Sequence, residues 1–563
     1  MQQKLLTLLF LINLSFVYSQ DFRYGKVSKE ELEETQHPKD PDADAAILYR
    51  EENSHFDYSQ DRGFFLRTDV FERIKIYNKD GYKWATNQMA LFHSNSTKEE
   101  INVLKGVTYN LDNGKIQESK LRKEGIFDEE RSKFYDLKKF TMPDIRDGSV
   151  IEYKYTLETP FVSNINEIKL QEEIPLNKAE IRFSTPEYLV YKMHQKGWLP
   201  IKIEETSRQR KLSFNYTKSQ LDTRTVIGNT SRQEVDMKET TYEISVENVP
   251  AIKEEAFCGN IENYMSALKF ELSYTKYPGQ AVDYRSTTWE SVTKNIYDSP
   301  GFGDQLKGSR YFEDDVDAII ANTKSLQERV LGIFEMVKQR MTWNTYLGLY
   351  VDEGVKDAYE KKSGNSADIN LMLVAMLRYA KIDANPVILS TKDNGIPLFP
   401  TRDGFNYVIA EANLDGSVIL MDATDKRAEI NIMKEELLNW DGMLIKDDGS
   451  SIPVDLFPKK PAIQNTLMTV NIDKDLGALG KTSNRYEGHY AMERRARFSA
   501  LDADEKRMNL EGRFSGVELF DVEMPEIETL YQPVKINYNF ENESVEKIAD
   551  KVYFNPMFHL AYL

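Results

Sequence analysis

At 563 residues, 40% hydrophobic and 29% charged, the chain is long enough for roughly three or four cores and has the balance of a soluble globular protein. Its formal net charge of -18 repels phosphate backbones, which argues against nucleic acid as a partner. The one cysteine, Cys258, excludes an intramolecular disulfide framework and, with no histidine near it in sequence, reads as a small packed hydrophobe rather than a nucleophile.

Residues 1–20 carry Lys4, an apolar stretch from Leu5 to Val17, and Ser19-Gln20 before Asp21. That pattern predicts a secretory signal peptide cleaved beside Gln20. The stretch is shorter than the roughly 20 apolar residues of a membrane span, and no later segment replaces it. No cysteine stands there to accept lipid, so the expectation is an exported protein of the periplasm or extracellular space, without a transmembrane segment.

Residues 21–55 read as a lead-in, because Lys29 to Asp44 is dense in Glu, Asp, Lys and Pro and is expected to be solvated. Residues 56–255 read as an antiparallel β domain of the β-sandwich kind. Ile74 and Ile76 precede Asp80-Gly81, and Val107, Tyr109 and Leu111 precede Asp112-Asn113-Gly114. After Asp147-Gly148, Ile151, Tyr153, Tyr155 and Leu157 alternate with Glu152, Lys154 and Thr156, giving one apolar face and one wet face.

Residues 256–455 comprise a connecting segment and an α+β domain. Ser325 and Glu328 have capping-box spacing, and Val330, Ile333, Phe334, Val337 and Met341 fall at helical intervals behind them. A second helix is predicted from Ala367 to Ala380, with Asn365 or Ser366 at its start and Ile369, Leu373, Met376 and Leu377 facing inward. Three strands follow at Asn385 to Ser390, Asn406 to Glu411 and Val418 to Asp422, with Asp415-Gly416 turning between the last two. Glu313, Asp314, Asp315 and Asp317 lack the glycine and spacing of a calcium hand and read as an acidic first helical turn. Residues 456–563 predict a C-terminal β domain, clearest at Val534, Ile536, Tyr538 and Phe540, and the apolar end from Phe558 to Leu563 suggests that the natural protein continues further.

Gly364-Asn365-Ser366-Ala367-Asp368, the run from Leu371 to Arg378, Ala384-Asn385-Pro386-Val387, Phe405 to Ile409, and Leu420-Met421-Asp422-Ala423-Thr424 occur in an order that resembles the core of the transglutaminase-like superfamily, over roughly Trp289 to Ala428. Upstream, Pro143, Asp147 to Tyr153, Gln171, Ile174-Pro175 and Asn248 to Ala251 resemble a bacterial domain of unknown function that accompanies such domains in exported proteins. The resemblance implies a papain-like α+β fold flanked by β domains, in which a helix-start cysteine attacks an acyl carbon, a histidine takes its proton and an aspartate orients the histidine.

By motif, those positions hold Ser366, Tyr407 and Asp422. A serine hydroxyl is harder to ionise than a thiol, and a phenol titrating near pH 10 donates rather than accepts a proton at neutral pH. The six histidines, His37, His55, His93, His194, His489 and His559, lie outside this core. A pseudoenzyme is therefore expected, with Ser366 as a capping or first-turn residue, Tyr407 as a packed aromatic and Asp422 as a turn carboxylate. No metal or cofactor is expected, since the core offers neither imidazole nor thiolate. Trp343, Asn365 and Arg402 are candidates to line a cleft for a peptide, protein or glycan of the cell envelope. The alternative is a hydrolase or acyltransferase using Ser366 as nucleophile, in which a desolvated Lys426 would serve as base.

Overall fold

A computed structural model describes residues 22–562 apart from 95–96, 133–134, 164, 223–224, 286–287, 402–403, 515 and 543–544. The expected signal peptide therefore falls outside the described residues, as does Arg402. The chain is β-rich and forms two compact units, residues 1–285 and 286–563. Among the described residues no helix is long and apolar enough to cross a membrane.

The first unit is built on an eight-stranded sheet. Its strands are β1 (Ala45–Ser59), β2 (Gly63–Ile76), β3 (Glu100–Asp112), β4 (Lys115–Lys120), β5 (Val150–Thr159), β6 (Leu176–Pro186), β7 (Lys202–Asp222) and β8 (Thr225–Val249), in the order β7-β8-β6-β1-β2-β5-β3-β4. Asn113 and Gly114 both take positive φ, the backbone that a two-residue hairpin between β3 and β4 requires. Pairing is antiparallel except between β1 and β6, which run parallel, so the expected all-antiparallel arrangement is corrected at that one place.

The lead-in is solvated over much of its length, with Lys29, Glu30, Glu33, Lys39 and Asp42 exposed, but it is anchored at Glu31, Leu32 and His37. Helix α1 (Lys29–Glu33) places Glu31 and Leu32 in buried positions, and β1 already begins at Ala45. Arg73 of β2 bonds Glu31 Oε1 at 2.7 Å and Glu152 Oε1 at 2.8 Å, and buried Lys75 donates to the Leu32 and Gly148 carbonyls. Charges that look solvent-bound in sequence are thus paired with partners some forty residues or more away. The connecting segment also divides differently from expectation: Ala267–Thr275 pairs with Leu189–Lys196 and belongs to the first unit.

In the second unit, helices α2 (Trp289–Tyr297), α3 (Glu313–Asn322), α4 (Leu326–Arg340) and α5 (Val355–Lys361) precede α6 (Ser366–Tyr379). The acidic run of α3 forms its first turn, as its composition predicts. Twelve of the fourteen residues of α6 are buried, the signature of a helix enclosed on all sides. It lies against a sheet of β9 (Asp383–Leu389), β10 (Tyr407–Leu414), β11 (Ser417–Met421), β12 (Asp441–Ile445) and β13 (Ser451–Asp455), ordered β11-β10-β9-β12-β13. Alternation divides the strands cleanly. Ala384, Ile388, Val408, Ala410 and Met421 join the helical core, whereas Val387, Leu389, Tyr407, Ile409 and Leu420 form a smaller cluster on the opposite face with Met433, Leu437 and Leu456.

The C-terminal part, expected as a β domain, combines a sheet with two helices. Strands β14 (Ile463–Ile472), β15 (Ala478–Glu487), β16 (Val517–Glu523) and β17 (Val534–Asn542) make a four-stranded antiparallel sheet, with α7 (His489–Phe498) and α8 (Ala503–Glu511) inserted between β15 and β16.

Candidate functional site

Of the three motif positions, Tyr407 and Asp422 meet through their side chains, with Asn370 of α6 beside them, whereas the Ser366 hydroxyl at the start of that helix is bonded to Gly348. Asn365 caps α6, its side-chain oxygen accepting from the Asp368 amide at 2.8 Å while Asp368 accepts from the Asn365 amide at 3.0 Å. Asp368, fully buried, also accepts from the amides of Asp352 and Gly354, tying the preceding loop to the helix. Burial raises its pKa despite those three donors.

Ser366 is fully buried, and its hydroxyl serves the loop rather than a base. It accepts from the Gly348 amide at 2.8 Å and donates to the Gly348 carbonyl at 3.1 Å. A side chain at Gly348 is blocked, because an added Cβ would stand 2.2 Å from Asn365 Nδ2 and 2.9 Å from the Tyr350 carbonyl oxygen. The glycine therefore permits the close approach that engages both hydrogen-bonding capacities of the serine.

Tyr407 opens β10 and packs its ring in the smaller apolar cluster on the face away from α6. Its hydroxyl lies 2.8 Å from Thr424 Oγ1 and 3.2 Å from Asp422 Oδ2, and the Thr424 hydroxyl donates to Asp422 Oδ2 at 2.8 Å. One consistent proton arrangement follows: Tyr407 donates to Thr424, and Thr424 donates to the carboxylate. Burial, and then the nearby Asp422 carboxylate, push the Tyr407 phenol well above its ordinary range. It holds its proton at any physiological pH and cannot act as a general base.

Asp422 is fully buried and accepts from Asn370 Nδ2 at 2.8 Å and from the Thr424 amide at 3.2 Å, besides the Thr424 hydroxyl, with the Tyr407 hydroxyl close by. Burial raises its pKa, with the donors pulling the other way. Asn370, one turn beyond Ser366, also donates to the Val408 carbonyl at 2.9 Å and accepts from the Ala423 amide at 2.9 Å. Thr424 closes the last quoted motif without a role of its own there, and Asn370 falls just outside the run from Leu371 to Arg378. The available signal was a lone amide in the apolar run from Ile369 to Leu377.

Of the cleft candidates, Asn365 is buried and occupied by capping and by the Tyr350 carbonyl. Trp343 is half-buried, donates from Nε1 to the Tyr346 carbonyl and carries Lys434 Nζ 3.7 Å from its ring centroid. Tyr346 and Leu347, in the same loop, are exposed, as is Trp440, which precedes β12. Lys426 is exposed, so the desolvation that would make it a base is missing. No group of three or more histidine, cysteine or acidic side chains suited to a metal ion occurs among the described residues.

Residues 68–253 match the domain of unknown function DUF3857, for which a solved structure exists. No curated protein matches the chain. Among solved structures, the chain is similar to a "putative protease" from Parabacteroides distasonis ATCC 8503, at 11% identity and a TM-score of 0.49, covering 92% of this chain and 95% of that one. It is also similar to a "putative cysteine protease" from Cytophaga hutchinsonii, at 12% identity and a TM-score of 0.17, covering 60% of this chain and 79% of that one.

Proposed function

We propose that this is an exported, non-catalytic protein of the cell envelope, built around a transglutaminase-like core whose acyl-transfer chemistry has been replaced by a structural brace, and that it binds a peptide, protein or glycan. The observation that carries the reading is the commitment of the Ser366 hydroxyl to both backbone groups of Gly348, while the Tyr407 hydroxyl is paired with Thr424 and Asp422. A nucleophile needs a base within about 3 Å. Here the residue at the base position is a phenol that retains its proton and faces the opposite side of the sheet.

Binding is supported by the rim above the brace. Trp343 with Lys434 stacked on it, and exposed Tyr346 and Leu347 beside it, present amphipathic surface of the kind that holds sugars or extended chains. The test is retention of envelope peptides or glycan fragments by the immobilised full chain. Trp343→Ala should reduce retention several-fold. Unchanged retention in that variant and in a Tyr346→Ala, Leu347→Ala double variant would remove the rim from the account and leave binding to the β domains.

A further inference from the structure

We propose that the face of the five-stranded sheet opposite α6 holds a second binding groove, which takes an extended polypeptide segment and pairs a lysine or arginine of that segment with Glu411. Strand alternation places Asp383, Asn385, Glu411 and Asn413 on this face, beyond the end of the small apolar cluster around Tyr407. They line a cavity of about 780 Å³. A second cavity of about 690 Å³ adjoins it, sharing Val418, Asp455 and Lys459, and its walls are Phe457, Pro458, Pro461, Tyr531 and Pro533. The two pockets thus run into one another as a groove of mixed polar and apolar lining, and together they exceed the space a single small molecule ordinarily fills.

Glu411 supplies the chemistry. It is 2% exposed, and its described hydrogen bond is a 3.5 Å contact from Asn385 Nδ2. That same amide nitrogen contacts Asp383 Oδ1 at 3.4 Å, so two carboxylates share one neutral donor, both at long range. Asn385 cannot turn to serve one better, because its oxygen accepts from Arg378 at 3.0 Å. A buried carboxylate accommodates up to four hydrogen bonds, and leaving that capacity unmet is costly. Burial, with Asp383 adding repulsion, raises the Glu411 carboxyl to about 7. A cation seated between the two carboxylates would remove both penalties.

The surroundings complement such a cation. Asp447, Asp448 and Asp455 also line the pocket, against Lys446 and Lys459, so carboxylates outnumber ammonium groups. Asp447 is engaged by Arg378 and by Tyr297, whereas Asp383 and Glu411 lack a cationic partner among the described ion pairs. The segment would be held through side chains rather than by adding a strand, since the outward backbone groups of Leu420 on edge strand β11 are already taken by Asn431.

The experiment uses the full chain and two fluorescein-labelled pentapeptides of alternating valine and threonine, one with lysine at its centre and one with norleucine. The lysine peptide should bind about tenfold more tightly or better, and Glu411→Gln should bring it to the norleucine level. Asp314→Asn, the same charge change on exposed α3, should leave the preference intact. Carbodiimide coupling should join the peptide lysine to Glu411, located by mass spectrometry. Equal binding of the two peptides, no binding at millimolar concentration, or a lysine preference that survives Glu411→Gln would each overturn the proposal.

Discussion

Replacing Asn370 by alanine tests whether the polar cluster is a brace. Its amide makes three fully buried hydrogen bonds, to the Val408 carbonyl, the Asp422 carboxylate and the Ala423 amide. Alanine leaves the Val408 oxygen and the Ala423 N–H without those partners, and each such buried group costs about 1–3 kcal/mol. Asp422 retains Tyr407 and Thr424 and loses less. The expected loss is about 2–6 kcal/mol from those two groups, a large part of the roughly 5–15 kcal/mol that holds a domain folded. Because the chain has more than one unit, global melting does not isolate this value. Urea-dependent hydrogen exchange does, read at the Ala423 amide, whose acceptor is Asn370 itself. A loss below about 1 kcal/mol, with Ala423 protection unchanged, would refute the assignment.

Other consequences are equally specific. Gly348→Ala should cost about 1–3 kcal/mol and expose the start of α6 to exchange, since the new Cβ must displace the Asn365 cap. His559 is buried against Phe514, Phe540 and Tyr538, and burial lowers its pKa from 6.5 to about 4. The unfolded chain takes up that proton first, so the contribution is fully present above about pH 6.5 and is lost as pH falls towards 4, about 3 kcal/mol in all. Hydrogen exchange in β15 and β17 should report this loss, and His559→Leu should abolish its pH dependence. Glu411 acts with the opposite sign over the same window: its folded carboxyl is protonated more readily than the unfolded one, so its contribution is lost as pH rises from about 4.5 through about 7. In Glu411→Gln, protection at β10, taken relative to the intrinsic exchange rate at each pH, should cease to fall over that range.

Local pattern carried most of the central domain. The predicted helix from Ala367 to Ala380 is observed as Ser366–Tyr379, and the turn at Asp415-Gly416 takes the positive φ its residues favour. Non-local pairing was not legible. Nothing near Glu31 announces that Arg73, itself held by Glu152, will pair with it, so a buried charge read as solvated with its neighbours. Helices α7 and α8 were obscured because α7 buries Arg494 and Arg495 among Ala491, Met492 and Phe498, which interrupts its apolar stripe, and α8 buries only Leu510. The capping pair Asp502 and Glu505 was the signal that could have found α8. At the candidate site the chain order located Ser366, Tyr407 and Asp422. Strand parity, which turns the Tyr407 ring into the cluster away from α6, emerged only from the pairing register.

The most direct measurement is intact-mass detection of covalent labelling by a fluorophosphonate, which reacts with activated serines. With both hydrogen-bonding capacities of Ser366 met by Gly348 and a phenol at the base position, the full chain should gain no adduct over a time that fully labels an active serine hydrolase. A stoichiometric adduct on Ser366, abolished by Ser366→Ala, would contradict the account.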